Sequence, residues 1–354
     1  MNAVFSIRNA RRAGIAIFAV GSFLLPMGLS EANLTVYVLV GLYAVTAIGL
    51  SLLMGHAGQI SLGQAGFLAI GAYTAAILAL HGVPTVLALL AAPVLSAGVA
   101  TLVGVPILRL RGHYLALATL AFQLIIVSLI SNIDFLGGGL GLTGVPALGI
   151  GGAMLSSQLG YAWLAWAVAA VTLIVTLNLI SSRPGRALRA LATSETAALS
   201  AGVPVTRYKL AVFALSAGYA GLAGGIYAFF IGFVSPGSFP AQLSIELIVM
   251  VVVLGARSVW GALLGAAGIT VLVQVLTQVG TQPGMPEYMP ALLSYAAYGV
   301  VLVLIMVFLP AGILPALKDA ASRASHTSLY TPARAAGVRS TEQRRKQKRN
   351  AQQT

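Results

Sequence analysis

Long apolar runs alternate with short polar breaks along most of this chain. An α-helix needs roughly 20 residues to cross a hydrocarbon core about 30 Å thick. Runs of that size are predicted at 13–30, 33–54, 65–81, 84–108, 113–133, 160–181, 210–232, 243–256, 261–280 and 290–310. They are continuously apolar, without the two-residue alternation of membrane β-strands. The expected fold is an all-α integral membrane protein of about ten transmembrane helices. The first run follows Arg8, Arg11 and Arg12 and so resembles a signal peptide. Its length and the poor cleavage sequence Ser30-Glu31-Ala32 favour a retained helix.

One break stands apart. "GHAGQISLGQAGFLAIGAY" (55–73) gathers five glycines, two glutamines, a serine and a histidine between two apolar runs. Gly55, Gly58 and Gly63 permit the backbone to leave the helix, while Gln59, Ser61 and Gln64 can satisfy freed backbone groups or meet a polar solute. Non-helical backbone at membrane depth is tolerated only when buried in protein or lining a water-filled cavity. The stretch is therefore the first candidate for a gate, with a plain cytoplasmic turn as the alternative. A second Gly/Ser-rich break, "GFVSPGSFPAQLSIELIVM" (232–250), follows the seventh span. Spans 2–5 and 7–10 would run in opposite senses, which permits an inverted repeat pairing these two breaks.

Polar residues inside the spans narrow the search. Glu246, near the outer end of the eighth span, is the clearest ionisable residue at membrane depth; it lines a path or reaches to the outer interface. Gln123, Asn178 and Gln274 suit interhelical hydrogen bonds, and Gly218, Gly221 and Gly225 share one helical face that lets a neighbour approach closely.

Composition changes the picture in three places. The chain is 58% hydrophobic and 8% charged, where soluble domains carry about 25% charged residues, so a soluble globule is excluded. Cysteine is absent, and His56, His81, His113 and His326 lack ligand-like spacing, so no disulfide, metal site or cofactor is expected. The net charge of +13 suggests nucleic acid, but its distribution argues against that partner. With a cytoplasmic N-terminus, Arg109, Arg111, Arg183, Arg186, Arg189, Arg207, Lys209 and Arg257 all fall inside. The outside segments carry Glu31, Asp134 and Glu287 and no Lys or Arg. This is the positive-inside pattern, and it puts both termini in the cytoplasm. The chain then divides into a cytoplasmic arm (1–12), a membrane domain (13–312) and a basic tail (313–354) with no apolar period, expected to be disordered. Arg344, Arg345, Lys346, Lys348 and Arg349 of the tail suit anionic membrane lipid or simple solvation.

The longest cytoplasmic connection, "SSRPGRALRALATSETAALSAGVPVTRYK" (181–209), reads as more than a loop. Pro184 suits a helix start, Ser194 suits the cap of a second short helix, and Gly202 and Pro204 end it. Ala197, Ala198 and Ala201 offer a smooth face to a docking protein, with an amphipathic linker on the membrane as the alternative.

Glu195-x-Ala197-Ala198-x-x-x-Gly202 is similar to the "EAA" signature of ABC-importer permeases. The longer string "GRALRALATSETAALSAGVPVTRYKLAVFALSAGYAGLAGGIY" resembles LivM-type permease subunits of branched-chain amino-acid ABC importers. Three further blocks agree: the 55–73 stretch, "LRLRGHYLALATLAF" (108–122) and "GGGLGLTGVPAL" (137–148). The resemblance runs in order from about residue 35 to 312. It implies a type II ABC-importer-like permease in the bacterial inner membrane, which carries branched-chain or related amino acids. Urea and short amides are alternative substrates within this class. Its implied partners are a second, LivH-like permease subunit, two ATP-binding subunits and an extracytoplasmic substrate-binding protein. It further implies that 181–209 is a coupling segment, with Arg186, Arg189, Glu195, Ala197, Ala198 and Gly202 facing the ATPase. The chain has no Walker A sequence, so ATP hydrolysis belongs to the partners. "GLGLTG" (139–144) matches a dinucleotide-binding pattern only formally, since no strand precedes it; an external loop is expected. A stand-alone secondary transporter or channel is the reading from another class, and the scarcity of ionisable residues in the spans speaks against it.

Overall fold

The computed structural model describes residues 18–308, apart from 19, 111, 151–152, 156, 283–285 and 287. The predicted arm, most of the first predicted span and the basic tail lie outside the described residues. Helices follow the other nine predicted spans closely: α1 (Glu31–Ser51, continued by a π turn, Leu52–His56), α2 (Gln64–Leu80), α3 (Thr85–Ile107), α4 (His113–Asn132) and α5 (Gln158–Ser181), then, past the connection, α8 (Val205–Ile231), α9 (Ala241–Val253), α10 (Val259–Gly280) and α11 (Met289–Phe308). The connection itself folds into α6 (Arg183–Thr193) and α7 (Glu195–Ser200). Seven stretches, Glu31–His56, Thr85–Ile107, His113–Asn132, Gln158–Ser181, Val205–Ile231, Pro236–Val253 and Val259–Gly280, are long and apolar enough to cross a bilayer. α2 and α11 are apolar but shorter in that respect. Serine hydroxyls cap three helices by accepting from the N–H three residues on: Ser157 to Gly160 at 3.1 Å, Ser194 to Ala197 at 3.3 Å and Ser258 to Gly261 at 3.0 Å.

α2 is short because other helices surround it. Its residues are buried on nearly every side, from Gln64 through Ala79, and at about 1.5 Å per residue it is roughly 25 Å long. It lies against α8, and small residues set the separation. A Cβ on Gly71 would collide with the Gly221 carbonyl, and one on Gly224 with the Leu68 carbonyl. On the next face of α8, Gly218, Gly221 and Gly225 meet Pro93, Ser96 and Ala92 of α3. In an apolar solvent, helix association rests on such close packing rather than on hydrophobic exclusion. The glycine face read from the sequence is the α8–α3 contact.

The helix contacts repeat with exchanged partners. α2 and α3 pack on α8 as α9 and α10 pack on α1; α2 packs on α3 as α9 does on α10; α2 touches α4 as α9 touches α11. One end of the bundle carries short strands: β1 (Leu142–Thr143) and β4 (Phe233–Val234) pair antiparallel, and β2 (Gly149–Ile150) pairs with β3 (Ala153–Met154). Leu142 and Thr143 belong to the Gly-rich loop, which is thus pinned to the end of α8 and forms no strand–helix phosphate cradle. At the same end Phe23 stacks on Trp163 with centroids 4.9 Å apart. The other end carries α6, α7 and the turn 254–258.

Gly71→Val is expected to force α2 off α8 and to cost at least about 1–3 kcal/mol. Gly98→Ala, where nothing lies within 4 Å of the new Cβ, should stay within about 0.5 kcal/mol of the parent. Thermal unfolding in detergent compares the two; equal stability would contradict the packing described.

Candidate functional site

The functional interior begins where α1 ends. The Ser51 hydroxyl donates to the Ala256 carbonyl at 2.7 Å. A Cβ on Gly55 would strike that same carbonyl, so the π turn lies directly on the 254–258 turn. π turns interrupt the regular helix ladder and are often found at functional positions. From Gly58 to Gly63 the chain is not helical, yet Gln59, Ser61 and Gly63 are buried. Such backbone needs partners from elsewhere.

Those partners come from two helices, α4 and α9. The Leu62 N–H donates to the Thr119 hydroxyl of α4 at 2.9 Å, and the Ala65 N–H to the Ser244 hydroxyl of α9 at 2.9 Å. The Gly63 N–H donates to Ser61 Oγ at 3.3 Å. Ser244 Oγ in turn donates to Gln123 Oε1, and Gln123 Nε2 donates to the Pro240 carbonyl at 3.1 Å, just before α9. Gln64 Nε2 donates to Ser216 Oγ on α8. One network thus joins the starts of α2 and α9. Gln123 stands about 15 Å along α4 from its first residue, near mid-depth of the bundle.

Two helix N-termini meeting at mid-depth concentrate positive partial charge. That arrangement favours anionic groups such as a carboxylate, and broken helices in transporters use it so. In this conformation the site is closed, with Ser61, Gln64, Gln123, Ser216 and Ser244 at most 2% exposed. Gln59 is different: it is 2% exposed, and neither its amide nitrogen nor its oxygen has a hydrogen-bond partner among the described residues.

The candidate residues separate into three groups. Ser61, Gly63 and Gln64 come together with Thr119, Gln123, Ser216 and Ser244. Gly55 faces the 254–258 turn instead. Glu246, two residues from Ser244 and so about 200° round α9, faces α11, where Gln242, Tyr295 and Tyr298 line a cleft with it. Gln123 makes the interhelical bond its setting suggested. Gln274 is half-buried on α10, and its side chain makes no such bond among the described residues. Ser216 and Ser244 were not singled out in the sequence. Each is an isolated serine in an apolar helix, a weak signal that only the packing makes readable.

The α6–α7 segment has a core of its own. Leu191, Ala198 and Val205 are buried together, with Val203 and Tyr208 packed on them. Ala198 therefore turns inward, while Ala197, Ser200 and Leu199, the last 53% exposed, face out. Glu195 also turns back, its Oε2 2.8 Å from Lys209 Nζ at the start of α8. Arg189 Nη1 donates to the Ile180 carbonyl at the end of α5, 2.7 Å away, and Arg186 is exposed. α7 stops at Gly202, whose φ is +77°. α6 packs on the π turn.

Ser244→Ala is expected to leave the Ala65 N–H and Gln123 Oε1 buried and unpaired, a loss of about 1–3 kcal/mol. Thermal unfolding of the purified protein measures it. An unchanged midpoint would mean that the network does not hold the start of α2.

A family model described as "Branched-chain amino acid transport system / permease component" matches residues 33–309. The high-affinity branched-chain amino acid transport system permease protein LivM of Salmonella typhimurium is 31% identical over 315 residues, covering 82% of this chain and 72% of that protein. The LivM of Escherichia coli is 30% identical over the same shares. A probable LivM from Methanocaldococcus jannaschii is 23% identical over 65% of this chain and 68% of its own length. No solved structure matches.

Proposed function

The chain belongs to the family of branched-chain amino acid transport system permease components, and from that premise we propose how it moves its solute. It is a multi-pass membrane protein, a transport subunit without catalytic activity, of the kind that works with ATPase and binding-protein partners. The substrate we propose is a branched-chain amino acid, delivered by a binding protein on the β-strand end of the bundle. Two ATP-binding subunits dock on the α6–α7 end, and a second, LivH-like permease subunit completes the membrane unit in the bacterial inner membrane. The charge distribution supports the orientation, with both termini on the α6–α7 side: Arg109, Arg183, Arg186, Arg189, Arg207, Lys209 and Arg257 all belong to that end.

The observation that carries this reading is the α6–α7 segment. It is anchored to the main apolar core by Leu188 and carries a buried triad of its own, Leu191, Ala198 and Val205, and it presents Arg186, Ala197 and Leu199 outward. An apolar knob beside a cation suits a groove with an acidic rim. Glu195 and Lys209 tie the segment to α8, and α8 carries α2 and α3. Movement of the ATPases then reaches the membrane helices as tilting of packed bodies. The exchanged helix contacts support an inverted repeat of α1–α4 with α8–α11, so that the breaks at 58–63 and 232–240 are equivalent gates on opposite sides of the network. Gly55, Gln59, Ser61, Gly63 and Gln64 belong to the first gate. The Gln59 side chain, buried without a partner among the described residues in the closed state, gains one when that gate opens.

Reconstitution tests the function. The complete transporter in proteoliposomes is expected to accumulate L-leucine only with ATP and the binding protein; uptake by this chain alone, driven by a gradient, would overturn the assignment. Coupling has its own test. Lys209→Met should lower ATP-driven uptake at least fivefold with the assembled complex still recovered, and the exchange Glu195→Lys with Lys209→Glu should restore most of it. An exchange no better than the single variant would contradict the proposed strut.

A further inference from the structure

Glu246 is an acid at membrane depth that has no paired cation among the described residues. It sits about 7 Å along α9 from Ala241. Its polar neighbours in the cleft are Tyr298, Tyr295 and Gln242, all neutral, and Tyr43 of α1 lies near the same carboxyl. Among the described residues the ion pair is Glu195–Lys209, and no lysine or arginine of these residues comes within ion-pair distance of Glu246. α9 runs from the network at mid-depth to the 254–258 turn, and Arg257 lies beyond its end. No basic side chain of the described residues therefore pairs with Glu246. An uncompensated carboxylate away from water is costly, and acids within spans are found where a solute or a partner answers them.

The carboxyl also has space in front of it. A cleft of about 240 Å³ opens between α9 and α11, lined by the polar Glu246, Gln242, Tyr295 and Tyr298 and by the apolar Ile245, Val249 and Gly299. Pockets for drug-sized ligands run to about 300–1,000 Å³, so this one suits a smaller solute. Its lining combines an acid and hydroxyl groups with aliphatic side chains. A small molecule with an ammonium group next to a branched hydrocarbon matches both at once.

We propose that the α9–α11 cleft is a binding site for the ammonium end of the amino-acid cargo, with Glu246 as its counter-ion and Tyr298 and Gln242 as positioning residues. The site rests on the permease reading given above, and names the atoms that would hold the solute. The aliphatic side chain lies against Ile245 and Val249. The site is separate from the closed network at the start of α2, on the other face of α9, so α9 carries a cation-recognising face and an N-terminus suited to carboxylate. Rotation or tilt of this one short helix then presents either to the path.

Labelling of Glu246 by N,N′-dicyclohexylcarbodiimide, which modifies carboxyl groups in apolar surroundings, tests the site in the complete transporter. The modified peptide is read by mass spectrometry. Isopentylamine, which has the ammonium and the branched chain, and L-leucine at high millimolar concentration are each expected to slow labelling several-fold. 4-Methylpentanoate, which lacks the ammonium, should not. Equal protection by all three, protection by none, or no labelling of the empty transporter would each overturn the proposal. In parallel, Glu246→Gln should lower L-leucine uptake at least tenfold with ATP hydrolysis and assembly retained, and Tyr298→Phe should lower it less. Wild-type uptake by Glu246→Gln would also overturn it. Should Glu246→Gln fail to assemble, protection of the unmodified transporter decides. A failure of the permease reading shows separately, as a parent transporter that takes up no L-leucine while isopentylamine still protects Glu246.

Discussion

A helix that starts inside a membrane protein has backbone N–H groups that no lipid can satisfy, and this molecule is built around meeting that demand at α2. The unpaired donors of Leu62 and Ala65 are answered by single hydroxyls, Thr119 and Ser244, that arrive from two different helices. Each buried donor left unpaired costs several kcal/mol in hydrocarbon. α4 and α9 therefore cannot move freely relative to α2 without a replacement partner. The polar interior is at once the anchor of the fold and the place where a change of conformation has to be negotiated.

The glycine contacts serve the same end. For the start of α2 to reach Ser216, Ser244 and Thr119 together, α2 must lie close to α8, and Gly71 and Gly224 permit backbone to pass backbone there. The helix that presents the network is thus fixed by packing at its middle and by hydrogen bonds at its start. Its short length follows: surrounded by α3, α4, α8 and α9, it need not span the hydrocarbon by itself.

Much of this was legible in the sequence, and the boundary of legibility is physical. Apolar runs located nine helices because hydrophobicity is a property of the run itself, and a serine or glycine in the right place marked the caps of α7. The break at 58–63 was legible too, since glycine and glutamine beside lipid need an explanation. Partners were not. Nothing local distinguishes Ser244, which caps another helix, from a serine that bonds its own preceding turn. Ala198 and Glu195, read in the sequence as part of an outward face, turn inward because Val205 and Lys209 arrive from the start of α8. Pairing of that kind depends on where the chain returns, and no periodicity within α7 encodes it.

The two ends of the molecule are joined through short paths of rigid parts. α6 touches the π turn at the end of α1, and that turn is pressed on the Ala256 carbonyl by Ser51 and Gly55. The 254–258 turn is the end of α9, whose start holds the polar network and whose outer face carries Glu246. α7 is held to α8 by Glu195 and Lys209, and α8 carries α2. A displacement of α6 and α7 therefore acts on both short helices, α9 through the π turn and α2 through α8, and these are the two helices whose N-termini share the network. Because packed interiors shift between discrete arrangements rather than deforming continuously, moving either helix alone would strand Ser244 between Ala65 and Gln123. The arrangement favours motion of the two short helices together.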